Sequence, residues 1–162
     1  MMSSPEPLTA LEERTWHELV QVSVLLMARL DQELREHGLS LGEYEVLAFL
    51  DSSQSRRMRM TDLACQVLVS KSNLTTRVRR LEVRGEVSRQ TDVLDRRVQW
   101  AVLTPRGRAV LRRAYASHLE GVRRYVIAPV GRDLGTLDRS LAGILSVVSG
   151  HHDEDEELAL PG

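Results

Sequence analysis

The stretch from Ser70 to Gly107 constrains this chain more than any other, because a helix with one cationic side runs directly into two strand-like segments joined by a charged turn. Within SKSNLTTRVRRLEVRG, Leu74, Val78 and Leu81 fall at i, i+4 and i+7 and form one apolar stripe on a helix. Asn73, Arg77, Arg80 and Arg84 make up a second, mainly cationic face. Gly85 can supply the left-handed conformation that closes a helix. Beyond it, Val87 and the alternation of Val98, Trp100 and Val102 predict two short strands, with Asp95, Arg96 and Arg97 at the tip between them. A helix of this kind lies on protein with its stripe and offers cations to a partner.

That partner is expected to be polyanionic, although the chain as a whole carries a formal charge of only −1. Between Arg56 and Arg113 there are 15 Lys or Arg against 5 Asp or Glu, a net +10, so the rest of the chain carries −11. A basic middle between acidic ends is a polarised molecule. Lys71 is the only lysine, and the arginine fork suits both phosphates and guanine edges. A length of 162 residues with 42% hydrophobic content supports one compact domain, or one with a helical extension. No apolar run of about 18 residues predicts a membrane helix. Glu6, Glu12 and Glu13 beside Pro5 and Pro7 argue against a secretory signal, which makes the expected location cytoplasmic. The lone Cys65 agrees with a reducing compartment.

Helix signals organise the remainder. Thr9 and Glu12 have capping-box spacing ahead of an amphipathic pattern containing Trp16, Leu19, Val20, Leu26, Met27, Leu30 and Leu34, which Gly38 ends. Ser40 and Glu43 repeat the box before Tyr44, Val46, Leu47, Phe49 and Leu50. Residues 51–57 read as a polar loop, and Thr61 as the N-cap of a short helix through Val67. Ser70 or Ser72 then opens the cationic helix. Helix, short turn, helix with Leu63, Ala64, Leu68 and Leu74 inside is a helix-turn-helix pattern. Thr104 and Pro105 open a further long helix that Pro129 is expected to end; a last one runs from about Asp133 to Ser149 and closes at Gly150. The expected fold is mainly α with a small β-wing. Helical arms at about 9–37 and 104–149, one from each chain end, flank a winged helix-turn-helix at about 40–103 within a domain spanning 9–150. Residues 1–8 and the acidic tail 151–162 read as disordered.

Taken together, RMTDLACQVLVSKSNLTTRVRRLEVRG, the DRR of the wing and the LTPRG that follows identify a resemblance. From roughly Leu11 to Val148 the chain resembles the MarR family of winged helix-turn-helix transcriptional regulators. The resemblance implies a homodimer with interlocked terminal helices, a recognition helix from each protomer in a DNA major groove, and each wing against the adjacent minor groove. It also implies a small aromatic or phenolic effector, held between the dimerisation helices and the DNA-binding lobe, that releases the DNA. The chain departs from the family's common pattern at Thr76, Glu86 and Val98, and at Val93 and Leu94 in the wing tip.

The DNA-binding set is therefore expected to be Ser70, Lys71, Ser72, Asn73, Thr75, Thr76, Arg77, Arg80, Arg84, Arg89, Asp95, Arg96 and Arg97. Asn73 and Arg77, near the start of the second helix, are expected to contact bases. Arg80, Arg84 and Arg89 either bind phosphates or are solvated. Asp95 is expected to pair with Arg97 and shape the wing, and Arg96 or Arg97 to enter the minor groove. Trp16, Tyr44, Phe49 and Tyr115 could line an effector crevice, although apolar residues at helical spacing are core by default. Cys65 is expected to be a small buried hydrophobe; the alternative is a thiol-based redox-sensing regulator. His151 and His152, next to acids, lack a fixed ligand geometry, so no metal site is expected, and His17, His37 and His118 are isolated. No catalytic residue is expected, because phosphate-loop and nucleophile motifs are lacking, nor is any cofactor beyond the effector. The reading is a sequence-specific, ligand-responsive repressor, not an enzyme, that binds a palindromic operator in double-stranded DNA as a homodimer away from membranes. Its competitor from another class is a winged-helix module for binding an acidic protein.

Overall fold

The computed structural model describes the backbone of residues 6–157 and the side chains of residues 6–149. Expectations for residues 1–5 and 158–162, and for the side chains of His151 and His152, lie outside the described residues. The chain divides into two compact units, one ending at Gly121 and one beginning at Val122.

In the first unit, α1 (Ala10–Arg35) starts at a complete capping box between Thr9 and Glu12, and α2 (Leu41–Ser52) at a second one between Ser40 and Glu43. Strand β1 (Arg57–Arg59) leads into α3 (Met60–Gln66), then α4 (Lys71–Val83), strands β2 (Val87–Thr91) and β3 (Gln99–Leu103), and α5 (Pro105–Val122). One core joins these elements. It includes Leu34, Leu39, Val46, Leu47, Leu50, Leu63, Leu74, Val78, Leu81, Val87, Ala101 and Leu111, and the three inward residues of α4 are fully buried.

The sheet corrects the expectation of two strands. Its order is β1-β3-β2, antiparallel throughout, with Met58 opposite Ala101 and Arg89 opposite Ala101 on the other side. Residues 51–57 are only partly a loop: Asp51 and Ser52 finish α2, and Arg57 begins β1. In β1 a single apolar residue, Met58, faces inward between two exposed arginines, which is too short for a period to register. The phase of β3 is also the reverse of the expected one. Ala101 and Leu103 point into the core, while Trp100 and Val102 lie on the outer, half-exposed face.

Three helix ends share one device. The N–H groups of Leu39, Val69 and Glu86 reach back to the carbonyls of Leu34, Ala64 and Leu81, each over a residue with positive φ. Two of those residues are Gly38 and Gly85, but in the helix-turn-helix turn the position is filled by Leu68, at φ 53°. The left-handed turn throws the Leu68 side chain outward to 82% exposure, so Val67 is buried in its place, contrary to expectation. Thr61 is not the cap of α3; Arg59 occupies that position without a side-chain bond, and Thr61 donates to Asp62.

Thr104 caps α5 as expected, accepting from the Gly107 N–H at 3.0 Å and donating to the carbonyls of Gly85 and Glu86. Gly107 is required there, because a Cβ would run into the Glu86 carbonyl. The second unit opens with a π-helical turn (Arg123–Ile127), α6 (Ala128–Val130) and a 3-10 turn (Gly131–Asp133) before α7 (Leu134–Glu157). Pro129 therefore sits inside the helical path, whose break falls at Gly131 with φ 54°. Gly150 does not end α7 either: glycine weakens a helix interior without stopping it.

Candidate nucleic-acid interface

Helix α4 is held by its apolar stripe, and that stripe determines which cations face outward. At about 100° per residue, Arg79 lies roughly 130° from the centre of Leu74, Val78 and Leu81, whereas Arg77 lies only about 65° away. Asn73, Arg77 and Arg84 are thus a flank, not the opposite face, whereas Arg80, about 125° away, turns outward beside Arg79. The outermost residues of α4 include Ser72, Thr75, Thr76, Arg79, Arg80 and Val83, all exposed. Thr76, Arg79, Arg80, Val83 and Arg84 line a depression of about 400 Å³ along this side. Sequence reasoning missed Arg79, although the helical wheel contained the signal.

Arg77 and Arg84 have other partners. The Arg77 side chain, 25% exposed, packs over Gly42 and lies 3.6 Å from the Glu45 carboxylate. Burial raises the Glu45 pKa, with Arg77 opposing it. Arg84 donates through Nη1 to Glu43 Oε1 at 3.2 Å and through Nε to Glu86 Oε2 at 3.0 Å. Both carboxylate side chains are only 6% exposed. Glu43 also accepts the Ser40 N–H that completes its capping box. Arg84 thus ties the start of α2 to the end of α4, a pairing that neither expected alternative, phosphate binding or solvation, included. A buried carboxylate at position 86 is tolerable because Arg84 neutralises it.

The other expected contacts divide by exposure. Ser70 caps α4 by accepting the Asn73 N–H at 3.3 Å, and Lys71, Ser72, Asn73 and Thr75 are exposed around the helix start. Thr75 and Thr76 donate their hydroxyls to carbonyls one turn back, leaving oxygen lone pairs as acceptors on the surface. Arg89 on β2 pairs with Glu82 on α4 at 2.8 Å, so the wing strand and the helix are cross-linked side by side.

The wing turn is organised by Asp92, another residue the sequence reading overlooked. Its Oδ1 accepts the N–H groups of Leu94 and Asp95 at 2.9 and 3.2 Å, and its Oδ2 accepts the Trp100 indole N–H at 2.9 Å. These bonds, the Trp100 bond first, hold the Asp92 carboxyl below its usual pKa. Asp95 does meet Arg97, accepting its N–H at 2.9 Å and lying 3.7 Å from its guanidinium. Arg96 and Arg97 are exposed. Behind the turn, the guanidinium carbons of Arg57 and Arg59 lie 4.5 and 5.5 Å from the centre of the Trp100 ring. The outer face of the sheet therefore adds two cations; their signal was the alternation of Arg57, Met58 and Arg59.

The expected crevice residues are only partly gathered. Tyr44 is buried and its ring centre lies 4.3 Å from that of His118; burial, together with nearby Tyr115, raises the Tyr44 pKa. His37 bonds Ser117 at 2.7 Å close by in sequence on α5. Phe49 packs on the helix-turn-helix core, and Trp16 is 57% exposed on α1. Cys65 is exposed, contrary to expectation, because Leu63, Ala64 and Val67 take the inward positions around it. Among the described residues no group of three His, Cys, Asp or Glu is placed to hold a metal, and no helix is long and apolar enough to cross a membrane.

Comparison with known proteins places this geometry. The MarR family model matches residues 39–98. The crystal structure of AbsC, a MarR family transcriptional regulator from Streptomyces coelicolor, is 35% identical with a TM-score of 0.85, over 90% of this chain and 99% of that one. Sco3205, a MarR family regulator from the same organism solved in complex with DNA, is 36% identical with a TM-score of 0.81, over 90% of each chain. An HTH-type transcriptional repressor of Mycobacterium tuberculosis is 36% identical over 98 residues, 60% of this chain and 69% of the relative.

Proposed function

This chain belongs to the MarR family of transcriptional regulators, and from that premise we propose that it is a repressor that binds a palindromic operator as a homodimer and releases it on binding a small aromatic or phenolic effector. One observation carries the DNA-binding part: the outward face of α4, with Thr76, Arg79 and Arg80, is cross-linked through Glu82 and Arg89 to a wing bearing Arg96 and Arg97. The helix offers side chains to base edges and the wing offers cations to the backbone. Ser70, Lys71, Ser72, Asn73, Thr75 and Thr76 are assigned to the same surface. Sco3205 was solved with DNA, and the Mycobacterium tuberculosis relative is named a repressor.

Exposed apolar surface supports the homodimer. Trp16, Val22, Leu25 and Met27 on α1, and Leu141, Ile144, Leu145 and Val148 on α7, are each 40% exposed or more in the single chain. Helices with this many exposed apolar side chains seek a partner, and a two-fold partner demands two half-sites. The effector is assigned to the neighbourhood of Tyr44, Tyr115 and His118. It works only by preferring dimers that cannot bind DNA, so effector and operator must weaken each other equally. Sedimentation with and without an inverted-repeat duplex, then titration of that complex with salicylate-like acids, tests the proposal. A monomer that binds one half-site at full affinity contradicts the dimer, and unchanged duplex affinity under all the acids contradicts the effector.

Exposure of Cys65 favours one second reading, control by thiol oxidation. Release of DNA by peroxide in wild type, absent in Cys65→Ser, is its signature.

A further inference from the structure

The wing tip carries two adjacent aliphatic side chains that the fold does not use. Val93 and Leu94 are 95% and 97% exposed, the two most exposed large hydrophobic residues described in the chain. Single apolar residues on a surface need no explanation, but a neighbouring pair on a projecting turn does. The turn is also tied down. The Asp92 N–H donates to the Val98 carbonyl and the Val98 N–H to the Asp95 carbonyl, at 3.0 and 2.9 Å. Asp92 fixes the N–H groups of Leu94 and Asp95 from inside and is itself fixed by Trp100. Trp100 in turn lies beneath Arg57 and Arg59. The pair is thus presented on a hydrogen-bonded support with cations at its base, and Arg96 and Arg97 follow after Asp95, which meets the Arg97 guanidinium at 3.7 Å.

We propose that Val93 and Leu94 form an aliphatic wedge that enters the minor groove of bound duplex DNA and leans between base pairs, bending the duplex, while Arg96 and Arg97 hold the flanking phosphates. The occupant is DNA rather than an acidic protein, because the Glu82–Arg89 pair fixes the wing strand beside α4, the second helix of a helix-turn-helix, whose exposed face is aimed at a duplex groove. Two aliphatic side chains cannot read hydrogen-bonding edges, so their contribution is to shape. They favour sequences that unstack easily, such as pyrimidine–purine steps beneath the wing. This inference rests on the DNA-binding reading above.

The test uses the full chain and duplexes that the wild type selects from a random pool, labelled at both ends for energy transfer. Wild type shortens the end-to-end distance, and the selected sequences carry flexible steps where the wing falls. Val93→Ser/Leu94→Ser should abolish the bend and weaken binding about tenfold, as expected when two aliphatic side chains lose a partly buried site. The slope of affinity against salt should not change, because no charge is removed. Val93→Thr/Leu94→Asn keeps the shape and removes the apolar character, and should behave the same way; Val93→Ile/Leu94→Met should keep the bend. A bend and affinity unchanged in both polar variants overturn the wedge while leaving DNA binding intact. Failure of the wild type to enrich any duplex overturns the DNA-binding reading and the wedge with it.

Discussion

Arg84→Met should unfold the protein more readily while leaving its electrostatic grip on DNA intact. Arg84 bonds two carboxylates, Glu43 at 3.2 Å and Glu86 at 3.0 Å, each with a side chain 6% exposed. A hydrogen bond to a charged group contributes about 1.5–3 kcal/mol, and removing one partner of a buried pair costs about 3–5 kcal/mol. The arginine itself is 34% exposed, so solvent screening places the cost at the low end, about 3 kcal/mol. Urea unfolding at fixed protein concentration should show a lower midpoint with an unchanged slope. Arg84→Met/Glu86→Leu should recover part of the loss, because an apolar pair replaces one of the two stranded charges, while Glu43 is left with the Ser40 N–H. Binding of the single variant to duplex DNA should keep its salt slope. Wild-type stability combined with a salt slope reduced by roughly one would refute this assignment and return Arg84 to the phosphates.

Three further outcomes follow from the geometry. Arg79→Ala should cost about 1–3 kcal/mol in cognate binding and relax discrimination at particular bases, whereas Arg77→Ala should mainly lower the unfolding midpoint, as binding curves on cognate and scrambled duplexes beside urea melts would show. Leu68→Gly should stabilise the chain by about 0.5–1 kcal/mol in a denaturation curve, since glycine relieves the positive φ of an 82% exposed side chain at some cost in chain entropy. Burial holds the His118 pKa below the ordinary 6.5, with Glu33 opposing. The unfolded chain therefore takes up that proton first, so its stability contribution is whole above pH 6.5 and is lost as pH falls through the folded value. His118→Gln should flatten that acid-side decline in unfolding midpoints measured across pH.

Much of the fold was legible because local chemistry and tertiary packing agreed. The capping boxes at Thr9 and Ser40, the stripe of Leu74, Val78 and Leu81, and the stop at Gly85 all specify the structure they adopt. The failures have physical reasons. A three-residue strand such as β1 carries no readable period, and Ala101 is too small to advertise which face of β3 is buried. Leu68 looks like core and is not, because the turn between α3 and α4 needs a left-handed residue and the sequence supplies no glycine. Within the candidate site, charge density alone could not separate Arg79, which faces outward, from Arg77 and Arg84, whose acidic partners on α2 are more than 30 residues away. Asp92 was invisible for the opposite reason: its role is read from bonds to Leu94, Asp95 and Trp100 that exist only once the turn is folded.

The most direct measurement is selection of bound sequences from a random duplex pool, carried out in parallel with wild type and Arg79→Ala. The account predicts enrichment of an inverted repeat whose half-site centres lie about one helical turn, roughly 10 bp, apart. It further predicts that Arg79→Ala loses preference at corresponding positions of both half-sites. No enrichment by wild type, or one identical repeat recovered with equal strength by both proteins, would contradict the claim that the outward face of α4 reads DNA.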